Sequence, residues 1–347
     1  MKAACFSGVQ KVDVCQLSDP QLVSDSDAIV RITTAGLCGS DLHPYHGREK
    51  GIDLGTVLGH EFVGEVISVG AEISNFRSGD RVCAPFTTNC GSCSACKMGL
   101  TARCTSGQLF GWREGGVGLH GGQATHVRVP LADSTLMRVP EGLTDEIAIL
   151  LGDNLTTSFF ATDLASVSPN QSVAIIGCGT VGLLAVQWCV SLGVQAVFAL
   201  EPNASRREMA SSLGALTASS HEEFCSTIQQ HTSAFGVDSV LEFVGLPAAQ
   251  RTAYEVIRPG GTLATIGCHC TPHFSFTPSE AYDKNLNYRT GRCPARFYME
   301  SVHHKSANLD LDLSWCVTHR FSLDQAQHAY DIFANRKDGC IKAVFTL

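Results

Sequence analysis

The stretch from Ser172 to Gly193, SVAIIGCGTVGLLAVQWCVSLG, constrains this chain most. An apolar run of buried-strand type, SVAIIG, leads directly into Gly177-Cys178-Gly179-Thr180-Val181-Gly182, and a helical stretch ended by Gly193 follows. The rhythm then repeats. QAVFALEP reads as a strand and SRREMASSLG as a helix ended by Gly214. DSVLEFVG and GTLATIG are further strands, with AAQRTAYEVI a helix between them. Strands that alternate with helices imply βαβ units and a parallel sheet, so this part of the chain is expected to be α/β and doubly wound.

A G-x-G-x-x-G between a strand and a helix is the layout in which a pyrophosphate sits on a helix N-terminus. Gly177 allows the tight turn, Gly179 lets backbone approach phosphate, and Gly182 lets the helix pack close to the sheet. Glu201 ends the next strand, 19 residues after Gly182, where an acid would bind ribose hydroxyls. A carboxylate there repels a 2′-phosphate and favours NAD over NADP, although Arg206 and Arg207 nearby weaken that preference.

The first half, to about residue 150, behaves differently. DAIVRITTAG, EFVGEVISVG and GDRVCAPF are short β-type runs broken by glycine, and helical periodicity is poor. With 347 residues in all, two domains are expected. Lys plus Arg number 25 against 33 Asp plus Glu, with no basic stripe, which argues against nucleic acid or an anionic membrane as a partner. The segment MKAACFSGVQ does not read as a signal peptide, and no apolar run approaches the ~18–20 residues that span a bilayer. A cytoplasmic, reducing setting is expected, in which most of the 16 cysteines are thiols or metal ligands.

Four of those cysteines, Cys90, Cys93, Cys96 and Cys104, lie at C-x2-C-x2-C-x7-C. The spacing suits a closed tetrahedral Zn–S4 centre that pins a loop. A regulatory disulfide or an iron–sulfur cluster are the alternatives, and no electron-transfer context favours them. A second set is more dispersed. GLCGSDLH holds Cys38, Ser40, Asp41 and His43; LGHEF holds His60 and Glu61; LLGDNLTTS holds Asp153. One sulfur, one imidazole and one carboxylate would hold zinc with a position left open. Singly, Cys38 reads as a small core residue, His60 as a turn histidine and Asp153 as a helix cap; only the combination beside a dinucleotide site points to a metal.

Taken together, CGSDLH, GHEFVGEV, the four-cysteine lobe, GDNLTTS and GCGTVG resemble the zinc-dependent medium-chain alcohol dehydrogenases, in the same order and across nearly the whole chain. The resemblance implies a GroES-like β-rich catalytic domain from residues 1–153 and 293–347, with a structural zinc lobe at about 89–105. A Rossmann domain at 154–292 would bind NAD. It implies two zincs per chain: Cys38, His60 and Asp153 at the catalytic ion, Cys90, Cys93, Cys96 and Cys104 at the structural one. Asp41 would orient the histidine ligand, and Glu61 would stand near the metal. Thr157, Val181 and Ile266 fall where relatives contact the nicotinamide, and Lys342 aligns with a basic residue near the pyrophosphate. Phe86 and Leu109 would face the substrate, with Phe110, Trp112 and Tyr45 as further candidates. Gly39 departs from members that carry a basic residue there.

The implied reaction transfers hydride between an alcohol, or its aldehyde or ketone, and NAD. Zinc would activate the substrate oxygen, and a proton would pass from Ser40 through the cofactor ribose to His43. Polyol, threonine or formaldehyde dehydrogenases share these motifs and are the alternative, as is a non-catalytic zinc- and NAD-binding protein. The resemblance also implies a homodimer or homotetramer, joined through NLNYRTGR as an edge strand.

Overall fold

A computed structural model describes all 347 residues. The chain forms two compact units: Met1–Thr156 with Pro294–His303 and Asp312–Leu347, and Thr157–Cys293 with His304–Leu311. The expected span 293–347 is therefore not continuous in the first unit. Residues 304–311 belong to the second unit, where Lys305, on the helix Ala295–Asn308, lies over the Phe159 ring, 4.2 Å from its centroid.

The first unit is the GroES-like one, and the strand Ala28–Gly36 is its axis. Its β-branched sequence AIVRITTAG suits a pleated, largely buried strand. It pairs antiparallel with Phe62–Val69, with His126–Val129 and with the closing strand Lys342–Thr346. The last pairing sets Val344 opposite Gly36 and Phe345 opposite Ala35, which brings Lys342 beside the turn after Gly36. Val317–Phe321 extends the sheet beyond the closing strand, and Arg81–Cys83 extends it on the other side. Leu37, Phe62, Phe110, Leu136, Tyr330 and Phe345 fill the core. Phe62 meets Phe110 edge to face at 5.1 Å.

The second unit is a Rossmann sheet. Six parallel strands stand in the order Leu216–Ala218, Ala196–Leu200, Ser172–Ile176, Val237–Glu242, Ile257–Thr265, Asn287–Thr290. Numbered along the unit this is 3-2-1-4-5-6, so the order reverses between Ser172–Ile176 and Val237–Glu242. Helices Thr180–Ser191, Ala204–Ser212, His221–His231 and Pro247–Val256 link successive strands. Side-chain caps start two of them: Asn203 accepts from the Arg206 amide at 3.1 Å and Ser220 from the Glu223 amide at 3.2 Å. Leu216–Ala218 and His221–His231 are not legible in the sequence: three residues are too few to show a period, and the helix opens on polar residues. No helix is long and apolar enough to cross a membrane.

Candidate active site

Cys38, His60, Glu61 and Asp153 converge although they come from three separated segments. Cys38 precedes a helical turn, Gly39–Asp41, that follows the axial strand. His60 and Glu61 immediately precede the strand Phe62–Val69, and Asp153 stands just before the helix Asn154–Leu164. Cys38 Sγ lies 3.2 Å from Asp153 Oδ2, and His60 Nε2 lies 3.4 Å from the same oxygen. Zinc bonds of ~2.0–2.3 Å in a tetrahedron give edges of ~3.3 Å between nitrogen and oxygen and ~3.5 Å between sulfur and oxygen. The donor set therefore fits zinc. Its charges fit as well: one thiolate and one carboxylate match a divalent ion, while Glu61 has a cation of its own, Lys342.

Burial, with Asp153 and Glu61 nearby, pushes the Cys38 thiol up to about 11. His60 is also buried, which by itself would lower its pKa, but Asp41 and Asp153 raise it well above the ordinary value. The site without an ion thus holds protons that a divalent cation would displace. Asp41 Oδ1 lies 3.1 Å from His60 Nδ1, so the Nδ1 proton is held and Nε2 faces the other donors. Asp41 Oδ2 accepts from the Cys38 amide at 2.9 Å and thereby also fixes the sulfur-bearing turn. Ser40 Oγ stands 3.3 Å from both Cys38 Sγ and His60 Nε2. Phe86 is buried and meets the His60 ring edge-on at 6.3 Å, and Leu109 bridges to its neighbour Thr87.

Several residues behave differently from expectation. Lys342 is fully buried; its ammonium pairs with Glu61 and donates to the Leu37 carbonyl at 2.9 Å. Its charge is shared with the Glu61 carboxylate of the metal cluster. Tyr45 donates to Asp331 at 2.8 Å and packs on Tyr330, and Phe110 lies in the core against Phe62, so neither points to the donors. At Gly39 an added Cβ would meet nothing within 4 Å, so no steric demand explains the missing basic residue.

Other residues of the site carry no sequence motif of their own. Asn154 Nδ2 donates to Glu61 Oε1 at 2.7 Å and to Asp153 Oδ2 at 3.3 Å, tying the two carboxylates together. Its position next to Asp153 in GDNL was the available signal. Gly36 must lack a Cβ, because one would collide with Glu61 Oε2. Tyr330 donates to Gln123 at 2.9 Å, and Gln123 donates to Gly36 O at 3.0 Å and reaches Asp41 at 3.4 Å. This buried chain holds Asp41 from behind.

The sulfurs of Cys90, Cys93, Cys96 and Cys104 also cluster. Backbone amides at Cys96 and Thr105 pull Cys93 down to about 5, and those at Ser92 and Cys93, with the Ser92 hydroxyl, bring Cys90 to about 7. Burial and the neighbouring thiols hold Cys96 up at about 12. Thiolates are the metal-binding form of cysteine, so the lowered pair favours ion capture. Cys104→Ser is expected to lose one metal ion and loosen this lobe alone. Trypsin should then cut at Lys97 or Arg103 under conditions that leave the wild type intact.

In the second unit, the glycine loop follows the first strand at the switch point of the sheet. Gly177 has φ +89°, and a Cβ there would strike Val244 Cγ2 at 2.6 Å. A Cβ on Gly182 would collide with the Gly177 carbonyl. At Gly179, by contrast, the nearest atom would be Arg206 Nη1 at 3.9 Å, which leaves room for a ligand beside a guanidinium. Val181 lies in the first turn of the following helix; Thr157 lies on Asn154–Leu164, and Ile266 follows its strand and donates to Glu242 O at 2.9 Å. Glu201 is buried, and its two oxygens accept from the Cys178 and Asn203 amides, each at 2.9 Å. It therefore anchors the glycine loop in addition to any ribose contact.

A dinucleotide fold with a thiolate–imidazole–carboxylate cluster defines a zinc-binding dehydrogenase. Residues 24–141 match the model of the alcohol dehydrogenase GroES-like domain, and residues 180–298 match that of the zinc-binding dehydrogenases. The zinc-type alcohol dehydrogenase B of Aspergillus flavus is 35% identical over 342 residues, 96% of this chain and 78% of that protein. A medium chain reductase/dehydrogenase, ucsI, of Acremonium sp is 39% identical over 292 residues, 82% of this chain and 98% of that one. The solved structure of alcohol dehydrogenase TADH from Thermus sp. ATN1 superposes with a TM-score of 0.93 at 34% identity, covering 100% of this chain and 99% of that one. The chain belongs to the zinc-type alcohol dehydrogenases of the medium-chain dehydrogenase/reductase family. It is a zinc-dependent oxidoreductase of alcohols or polyols that uses a nicotinamide cofactor.

Proposed function

We propose that the chain is an NAD-dependent alcohol dehydrogenase with two zincs, one held by Cys38, His60 and Asp153 and one by Cys90, Cys93, Cys96 and Cys104. The observation that carries this reading is the meeting of Cys38 Sγ, His60 Nε2 and Asp153 Oδ2 at tetrahedral spacing. Bound there, zinc would lower the pKa of an alcohol oxygen toward neutrality, and the nicotinamide would accept the hydride.

The chain's own residues do the remaining work. Asp41 fixes the His60 tautomer, and Lys342 balances Glu61 so that the carboxylate does not add a third negative charge to the ligand set. Phe86 gives the site an apolar wall, which supports an apolar or aromatic alcohol as substrate and helps exclude water. Ser40 Oγ, beside both Sγ and Nε2, is placed to take the hydroxyl proton. His43 then carries it toward solvent; burial and Arg48 lower its pKa, which favours passing the proton on. Ser40→Ala is expected to cut kcat about 10²-fold while zinc content stays at the wild-type level.

Glu201, at the end of the second strand, favours NAD by repelling a 2′-phosphate. Asn287–Thr290, the last strand of its sheet, supports a homo-oligomer joined edge to edge. The test is cofactor reduction across primary, secondary, aromatic and polyol alcohols. NADH should form with apolar primary, secondary or aromatic alcohols, and kcat/KM for NADP should be about tenfold lower or less. Turnover of polyols or threonine alone would select the alternative dehydrogenase reading, and no turnover of any alcohol would select a non-catalytic one.

A further inference from the structure

Apart from the two zinc clusters, another set of metal-type donors lies wholly within the second unit. His221 and Cys225 are four residues apart on the helix His221–His231, so they share one face. Glu255, near the end of the helix Pro247–Val256, meets that face. His221 Nε2 is 3.3 Å from Glu255 Oε2 and 3.7 Å from Cys225 Sγ. Zinc–ligand bonds of ordinary length, tetrahedrally arranged, would give edges of ~3.3 Å for nitrogen–oxygen and ~3.6 Å for nitrogen–sulfur.

The surroundings prepare each donor. Thr252 Oγ1, buried, lies 3.0 Å from His221 Nδ1. With Nδ1–H donating to that hydroxyl, the Nε2 lone pair faces the other two donors, the arrangement seen when an outer partner orients a ligating histidine. The Glu255 carboxylate is divided: Oε1 accepts from Arg251 Nε at 2.8 Å, and Oε2 is turned to the histidine. Partial burial, with Glu255 and Glu222, raises the Cys225 pKa. The free site therefore carries a thiol proton, which a bound cation would release to solvent. His221 and Glu255 are 44% and 36% exposed, so water can complete the coordination.

We propose that His221, Cys225 and Glu255 form a third metal site, selective for a borderline-soft divalent cation such as zinc, that clamps the two helices together. One sulfur, one imidazole and one carboxylate exclude magnesium and calcium, which require more oxygen donors. The site owes nothing to the reaction, and its fate does not depend on the NAD or substrate assignment.

The experiment titrates Co²⁺ into the holoenzyme with its resident zinc in place. The wild type should take up one additional cobalt per chain and develop a sulfur-to-cobalt charge-transfer band. Cys225→Ser should lose both, and Thr252→Val should weaken binding about 10- to 100-fold by releasing the histidine. Alcohol oxidation at the wild-type rate serves as the control that each variant is folded. Absence of additional cobalt in the wild type overturns the proposal. So does a band that survives Cys225→Ser, because the cobalt would then sit on another thiol.

Discussion

Cys38→Ala is expected to lower alcohol oxidation by about a thousandfold or more while leaving the protein folded. The sulfur lies 3.2 Å from Asp153 Oδ2 and 3.3 Å from Ser40 Oγ, and it is the one thiol of the cluster. Metal activation of a substrate oxygen is worth several kcal/mol, and about 4 kcal/mol corresponds to ~10³ in rate. Alanine at 38 removes a small, buried side chain, and the nearby Asp41, Gln123 and Tyr330 network stays intact. The zinc content of the purified variant should fall by one per chain, with the four-cysteine lobe still loaded. Steady-state kinetics and metal analysis on the same sample check both halves. Near-normal turnover with one zinc lost would remove the metal from the mechanism.

Lys342→Met should destabilise the protein by about 3–5 kcal/mol, the usual cost of leaving one partner of a buried ion pair alone. Both side chains are essentially inaccessible, at 0% for Lys342 and 1% for Glu61. Methionine fills most of the volume, so the loss is of charge, not packing. The double variant Glu61→Gln/Lys342→Met should recover most of the stability, because no uncompensated charge remains and Asn154 can still pair with the amide. Urea unfolding of the zinc-loaded proteins reads both effects. If Lys342→Met unfolds at the wild-type urea concentration, Glu61 is not held as an anion by this lysine.

The two metal clusters were unequally visible in the sequence. Cys90, Cys93, Cys96 and Cys104 lie within one loop, so their spacing alone limits what they can do. Cys38, His60 and Asp153 are scattered, and each has an ordinary structural reading; they became interpretable only together and beside the glycine loop. Lys342 was incompletely legible, for a physical reason. Its partner Glu61 is 281 residues away, and the two meet only because the closing strand pairs antiparallel with Ala28–Gly36. A lysine in the otherwise apolar CIKAVFTL was nonetheless a sign, since a cation in a buried strand needs an anion. Tyr330 and Gln123 were hidden in the same way: their link to Asp41 depends on tertiary contacts that no local pattern encodes. The Rossmann order was more legible because each strand–helix pair announces itself, except at Leu216–Ala218, which is too short to show alternation.

The most direct measurement is anomalous scattering from crystals of the protein as purified, with data collected on both sides of the zinc edge. Two peaks per chain are predicted at these sites, one among the four cysteine sulfurs and one bonded at once to Cys38 Sγ, His60 Nε2 and Asp153 Oδ2. A peak in the lobe with none at Cys38, His60 and Asp153, in a preparation that oxidises alcohols, would contradict the account.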